Sequence, residues 1–312
     1  MLMIKCGRKG CERKAVATLH YMNMSLCKKH FKELFEKRVK RTTREFGLLK
    51  KNDKLALALS GGKDSTALLY ALKPVCDSMR IHVEGIYINE GTEGYCVKKR
   101  AIAERNCEKL GVPLHEFSFA EEIGSTMDEI AGKEARKATT CAYCGVFKRW
   151  IVNKKARELG FNKVATGHNL DDSAQTVLMN MMRNEPFRLA RFGPKGGIVE
   201  AGKFITRIKP LFKSPERENA LYAMLNDPGI VFGPCKYSTE AFRDEVRDFL
   251  NRTEEKHPGT KIRIVNSFLS IKPSLENGFG GVGTPGTCSE CGEPTSGDYC
   301  KCCEMRKELE KK

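Results

Sequence analysis

A short apolar run, Leu55–Leu59, leads into Ser60-Gly61-Gly62-Lys63-Asp64-Ser65, and an amphipathic stretch opens at Thr66. The pattern predicts a strand, a glycine turn and a helix N-terminus, whose free amides form an anion site. Gly61 and Gly62 let the backbone turn tightly and present those amides. Lys63 adds a positive charge, and Ser60 and Ser65 add hydroxyl donors. A pyrophosphate fits such a cradle. The spacing lacks the G-x-x-x-x-G-K-[ST] form, which excludes the P-loop that cleaves a γ-phosphate. The purely structural alternative is a glycine turn in which Asp64 or Ser65 caps the helix.

The surrounding chain supports a nucleotide-binding frame. Leu55–Leu59, Ile81–Ile88, Leu114–Phe119 and Lys163–Thr166 read as strands. They alternate with helices expected over Ser65–Leu72, Lys98–Leu110, Gly145–Leu159, Ser173–Arg183, Glu216–Leu225 and Ala241–Thr253. This alternation implies βαβ units around a mainly parallel sheet, an α/β fold. A second motif, Thr166-Gly167-His168-Asn169-Leu170-Asp171-Asp172, joins a strand to a helix and is expected across the sheet's carboxyl edge from the first. Asp171 or Asp172 can hold Mg²⁺ against phosphates, since hard carboxylate oxygens suit that ion, and one of them can cap the helix instead. His168 is read as touching a nucleotide or orienting backbone, not as a base.

Cysteine spacing sets the ends of the chain. Fourteen cysteines occur, mostly in short pairs, which in a reducing compartment points to metal and not to disulfides. Cys6, Cys11, Cys27 and His30 predict one tetrahedral zinc module, and Cys288, Cys291, Cys300 and Cys303 a second, with Cys302 able to replace Cys300 or Cys303. The expected division is a zinc module and basic linker helix over 1–50, a catalytic domain over 51–272 and a zinc module over 273–312. Cys141, Cys144 and Cys235 remain inside the catalytic domain. Three thiolates can hold a cubane iron–sulfur cluster with one iron left open. Spacing alone leaves two rivals open, a persulfide-carrying redox pair and a third zinc bearing water. Cys76, Cys96 and Cys107 lack partners at ligand spacing and read as buried thiols. Lys148 lies four residues after Cys144, hence on the same helical face.

The net charge of +16, from 55 Lys and Arg against 39 Asp and Glu, favours a polyanionic partner. No run of 18 apolar residues and no signal-peptide pattern is visible, so a cytoplasmic chain with no membrane contact is expected.

The Ser60–Ser65 loop and the second motif resemble the PP-loop ATP pyrophosphatase superfamily, whose members cleave ATP to AMP and pyrophosphate and adenylate a substrate oxygen. With the internal CxxC, the later lone cysteine and the terminal modules, the chain is similar from Cys6 to Cys303 to the tRNA 2-thiolation family of the NcsA and TtuA type. That resemblance implies a tRNA uridine 2-sulfurtransferase in which Cys141, Cys144 and Cys235 bind a [4Fe-4S] cluster. It carries catalytic roles onto Asp64, Lys148 and Asp172, and ATP binding onto Ser60, Gly61, Gly62, Lys63, Ser65, Gly167 and His168. The implied cofactors are ATP, Mg²⁺, the cluster and two Zn²⁺. The implied partners are tRNA, a sulfur donor (sulfide, persulfide or a ubiquitin-like thiocarboxylate carrier) and a second copy of the chain. Wobble uridine 34 is the leading target and uridine 54 the next. Two other classes compete: a zinc-bearing RNA-binding protein without catalysis, and a small-metabolite PP-loop enzyme, which would leave the charge and the internal cysteines unexplained.

Overall fold

The computed structural model describes residues 4–196, 205–233, 235–237, 242–279 and 286–310. Its elements run β1 (Ala17–Leu19), β2 (Met24–Leu26), α1 (Lys28–Glu45), β3 (Lys54–Ala58), α2 (Lys63–Met79), β4 (His82–Asn89), α3 (Cys96–Lys109) and β5 (Leu114–Ser118). Then come α4 (Phe119–Ile123), α5 (Met127–Gly132), α6 (Thr140–Glu158), β6 (Lys163–Ala165), α7 (Leu170–Met182), α8 (Pro186–Arg191), β7 (Lys195–Gly196) and β8 (Thr206–Ile208). The chain continues through α9 (Glu216–Asn226), α10 (Phe242–Lys256), α11 (Thr260–Phe279), β9 (Gly286–Thr287), β10 (Pro294–Thr295) and α12 (Lys301–Glu310).

The central sheet has the order β5-β4-β3-β6-β8-β7, all neighbours parallel except β7 against β8. Chain direction across the sheet reverses between β3 and β6, so the carboxyl ends of those two strands form the crevice where α/β sheets bind ligands. The phosphate loop follows β3 and the second motif follows β6.

Period-two alternation divides the core. In β3, Leu55 and Leu57 face one buried cluster with α1, α2 and α9, while Ala56 faces another with α6. In β4, Val83 and Tyr87 join the first cluster, and Ile86 and Ile88 the second. Both faces are covered, as a parallel sheet requires.

Each Cys/His module packs on a different face. Cys6 and Cys27 share the first cluster with Phe31, Phe35 and Val39 of α1, and the Phe35 ring stacks on Tyr222 of α9 at 4.1 Å between centroids. Cys288, Cys300, Cys302, Cys303, Met305 and Leu309 share the second cluster with Tyr143, Phe147 and Ile151 of α6. Glu308 accepts from the Tyr143 hydroxyl at 2.8 Å, and Glu293 accepts from Asn153 Nδ2 at 2.7 Å. The carboxy-terminal module, too short to build a core alone, is therefore pinned along α6.

Most expected elements form, with shifted ends. The phosphate-loop helix starts at Lys63 and runs on to Met79 through Pro74. The helix expected from Gly145 begins a turn earlier, because Thr139 caps it by accepting from Ala142 N–H, and this places Cys141 and Cys144 inside its first turns. α11 runs Thr260–Phe279 and continues past residue 272, where a domain boundary was expected. Ala241, the expected start of α10, lies outside the described residues, as does Pro234 beside Cys235. Among the described residues no helix is long and apolar enough to cross a membrane.

Candidate active site

The phosphate loop is held by its own side chains. Ser60 N–H donates to Ser65 Oγ at 3.2 Å, and Ser65 Oγ–H donates to the Gly62 carbonyl at 3.0 Å. Gly61 has φ +64°, and a Cβ there would stand 1.9 Å from the Lys99 carbonyl oxygen, so only glycine fits. Lys63 Nζ donates to Asp64 at 2.8 Å and pairs with Glu216 of α9 at 2.7 Å. Burial works against the Lys63 ammonium, but these two carboxylates outweigh it and hold its pKa above the ordinary lysine value.

The second motif closes on the first. A Cβ on Gly167 would come within 3.0 Å of the Asp64 carbonyl carbon, so glycine permits the two loops to meet. Asn169 and Asn219 both donate through Nδ2 to Asp64 Oδ1, at 3.0 and 2.8 Å. Asn169 and Asp172 form a reciprocal capping box: Asp172 N–H donates to Asn169 Oδ1 at 3.0 Å and Asn169 N–H donates to Asp172 Oδ2 at 3.1 Å. Burial, with Asp64 and Glu216 nearby, pushes Asp172 up to about 6. Asp171 turns the other way. It is buried, pairs with Lys261 and accepts from Glu216 N–H at 2.7 Å, so it braces α9 and α11. Of the two adjacent carboxylates, Asp172 faces the crevice. His168 receives or gives a hydrogen bond with Thr166 Oγ1 at 2.8 Å; the protein mass around the crevice and the cations Lys209, Arg243, Arg207 and Arg149 push its pKa down to about 4.

Cys141, Cys144 and Cys235 come together from distant sequence. They line one cavity of about 290 Å³ with Glu90, Tyr95, Lys148 and Tyr237. Cys141 Sγ–H donates to the Tyr237 carbonyl at 3.0 Å. The Cys235 segment is tethered by Tyr237 Oη–H to Asp128 at 2.7 Å and by Lys236 to Asp128 at 3.1 Å. Burial pushes the Cys144 thiol up to about 11, against the pull of Lys148 beside it. Lys148 pairs with Glu90, whose other oxygen accepts from Cys96 Sγ–H at 3.2 Å.

Among the described residues, two groups of four bring their ligand atoms within 4.8 Å of one another: Cys6, Cys11, Cys27, His30 and Cys288, Cys291, Cys300, Cys303. Their sulfur separations, 3.9 Å for Cys11–Cys27 and 3.5 Å for Cys291–Cys300, match the roughly 3.8 Å of a tetrahedral zinc–thiolate site. Cys302 is buried in the α6-side core and belongs to neither group. Cys141, Cys144 and Cys235 share one cavity. Three thiols on one cavity suit a polynuclear cluster, in which each thiolate binds a different iron.

Sequence reasoning placed Asp64, Lys148, Asp172 and the three internal cysteines, and the structure gathers all of them at the carboxyl edge of the sheet. It missed Glu90, Glu216 and Asn219, which position Lys148, Lys63 and Asp64. Glu90 had a signal, a carboxylate just past the end of a parallel strand; Glu216 and Asn219 act across long sequence separations and had none. Cys76 and Cys107 are core thiols as expected.

Residues 28–253 match the family described as a PP-loop domain. The chain is 37% identical over 309 residues to the tRNA-5-methyluridine(54) 2-sulfurtransferase of Pyrococcus horikoshii, covering 98% of this chain and 96% of the relative. It is 36% identical to the tRNA 2-thiolation protein NcsA of Haloferax volcanii, covering 96% and 98%. The solved U34-tRNA thiolase NcsA from Methanococcus maripaludis, with its [4Fe-4S] cluster, superimposes with a TM-score of 0.81 at 33% identity, over 99% of this chain and 97% of that one. With the phosphate loop, the second motif and the cysteine cavity in place, the chain belongs to the tRNA 2-thiolation family of the PP-loop ATP pyrophosphatase superfamily.

Proposed function

We propose that this protein is an ATP-dependent tRNA uridine 2-sulfurtransferase acting at wobble uridine 34. The observation that carries the reading is the shared cavity of Cys141, Cys144, Cys235 and Lys148 at the same sheet edge as the phosphate loop. A binding protein without catalysis has no use for that pairing.

The roles follow from position. The loop amides with Ser60, Gly61, Gly62, Lys63 and Ser65 receive the pyrophosphate of ATP, and Gly167 and His168 line the opposite side. Arrival of the triphosphate gives Lys63 a stronger partner than Glu216 and frees carboxylates for Mg²⁺. Asp64 and Asp172 would be its ligands, because both face one crevice and Asp64 helps to raise the Asp172 pKa. The uridine O2 attacks the α-phosphate, pyrophosphate departs, and C2 carries AMP as a leaving group. A sulfur nucleophile then forms the C–S bond at C2 while the C–O bond to AMP breaks. Lys148, held charged by Glu90, stabilises negative charge at that carbon's oxygen and beside the thiolates. Cys141, Cys144 and Cys235 would hold a [4Fe-4S] cluster, which when bound supplies an open iron site for sulfide. The two terminal modules would each hold a structural Zn²⁺. The sulfur donor belongs to the class of sulfide, persulfide or thiocarboxylate carriers; the working unit is a cytoplasmic homodimer.

Uridine 54 is the second reading, favoured by the name of the Pyrococcus horikoshii relative. Nuclease mapping with mass spectrometry of tRNA thiolated by the purified enzyme decides between them. The expected product is 2-thiouridine at position 34; product confined to position 54 would replace the target and keep the chemistry.

A further inference from the structure

Arg149, Arg207, Lys209 and Arg243 gather near His168. Arg243 pairs with Asp172 at 3.7 Å, whereas among the described residues the hydrogen bonds of Arg207 and Lys209 go to backbone carbonyls. Arg207 of β8 is paired in register with Val164 of β6, whose side chain packs into the α6-side core, so Arg207 also faces α6. There its Nη2 donates to the backbone carbonyl of Arg149 at 3.0 Å, bringing two guanidinium residues together. Arg149 directly follows Lys148, which lines the cysteine cavity. Lys209, just past β8, donates through Nζ to the Gly193 carbonyl at 2.9 Å and sits 4.2 Å from the centroid of the Phe192 ring. The carboxyl end of β8 adjoins β6, which leads into Thr166-Gly167-His168, so these cations stand beside the adenylation motif at one end and the thiols at the other.

Arg207 and Lys209 are half-buried beside the exposed Arg149, and like charges held together out of bulk water are costly unless an anion joins them. Burial and the neighbouring Arg149 push Arg207 down to about 10, and burial with Arg207 pushes Lys209 down to about 8 although Asp172 pulls it the other way. The triphosphate has its own cradle in Lys63 and the loop amides. A base that must visit both the adenylation motif and the cysteine cavity brings its flanking phosphates with it, and this is the surface they cross.

We propose that Arg149, Arg207 and Lys209 form a phosphodiester subsite that seats the backbone of the target nucleotide between the two halves of the active site. The inference rests on the thiolase reading above, and adds to it the residues that grip the RNA at the reacting position.

The test is equilibrium binding of tRNA and, separately, of ATP to the full chain across a KCl series. Wild-type protein that binds ATP but no tRNA would overturn the thiolase reading itself. With wild-type binding in hand, the Arg207→Gln/Lys209→Gln variant is expected to lose about tenfold in tRNA affinity at low salt, with the log K against log salt slope shallower by about 1 to 2. Its ATP affinity is expected to stay within about twofold of wild type, and Arg207→Lys to keep most of the slope, since phosphate contact reads charge. Arg149→Gln, at an exposed side chain, repeats the measurement should the double variant fail to fold. Unchanged tRNA affinity and slope in variants that melt like wild type would overturn the subsite. So would lost ATP affinity with tRNA binding intact, which would assign these cations to the triphosphate.

Discussion

Asp172 shows how one residue is asked to do two things. It caps α7 and also faces Asp64 in a crevice where burial raises its pKa to about 6. An ordinary unfolded carboxylate titrates near 3.9, so between about pH 4 and 6 the folded state holds a proton that the unfolded state has released. Folding stability from this group is therefore greatest below about pH 4 and declines as pH rises through 6. Asp172→Asn keeps an oxygen to accept from Asn169 N–H and removes the charge. Thermal melts at pH 8 are expected to show stabilisation on the order of 1 kcal/mol, allowing for solvent screening of the half-buried group, while thiolation is lost. A melting point below wild type at pH 8 would mean that Arg243, 3.7 Å away, and the cap satisfy the carboxylate without a metal ion. At this scale much was legible in sequence. Asp64, Lys148 and Asp172 sit in short motifs whose spacing is local. Glu216 was not legible, because it meets Lys63 only after the sheet has formed, and Glu90 offered only its place just past a parallel strand.

At the scale of elements, α1 and α6 carry the argument. Both bury aromatic side chains, α1 against α2 and α9 and α6 in the cluster on the opposite face, and each fixes one Cys/His module to its side. Phe35 is fully buried on α1 and stacked on Tyr222. Phe35→Ala should cost about 3 to 5 kcal/mol, as aromatic truncations in packed cores do, read as a shifted denaturant midpoint with an unchanged slope. A loss under about 1 kcal/mol would show that α1 is a detachable linker instead of part of the core. The strand before the phosphate loop and the helix after it could be read directly, since apolar run, glycines and helix start lie within a few residues. β8 could not, because Thr206-Arg207-Ile208 is a short strand whose central residue is charged toward the crevice. The start of α6 was legible only in part: CxxC leads into a helix expected from Gly145, and Thr139 caps it a turn earlier.

At the scale of the whole molecule, the two terminal modules are expected to stabilise distinct halves of one catalytic body. The carboxy-terminal module is bonded along α6, the helix that carries Cys141, Cys144 and Lys148. Cys303→Ser is expected to lower zinc content by one ion per chain and to lower the melting temperature by several degrees, with loosened α6 amides in hydrogen exchange. Full zinc content in that variant would return Cys302 to the ligand set. The most direct test of the central claim is oxygen-free thiolation of tRNA with ATP and sulfide, comparing cluster-loaded wild type, cluster-free wild type and Cys235→Ala. The account predicts ATP-dependent 2-thiouridine from the loaded wild type alone, with ATP binding retained in all three; equal thiolation by Cys235→Ala would contradict it.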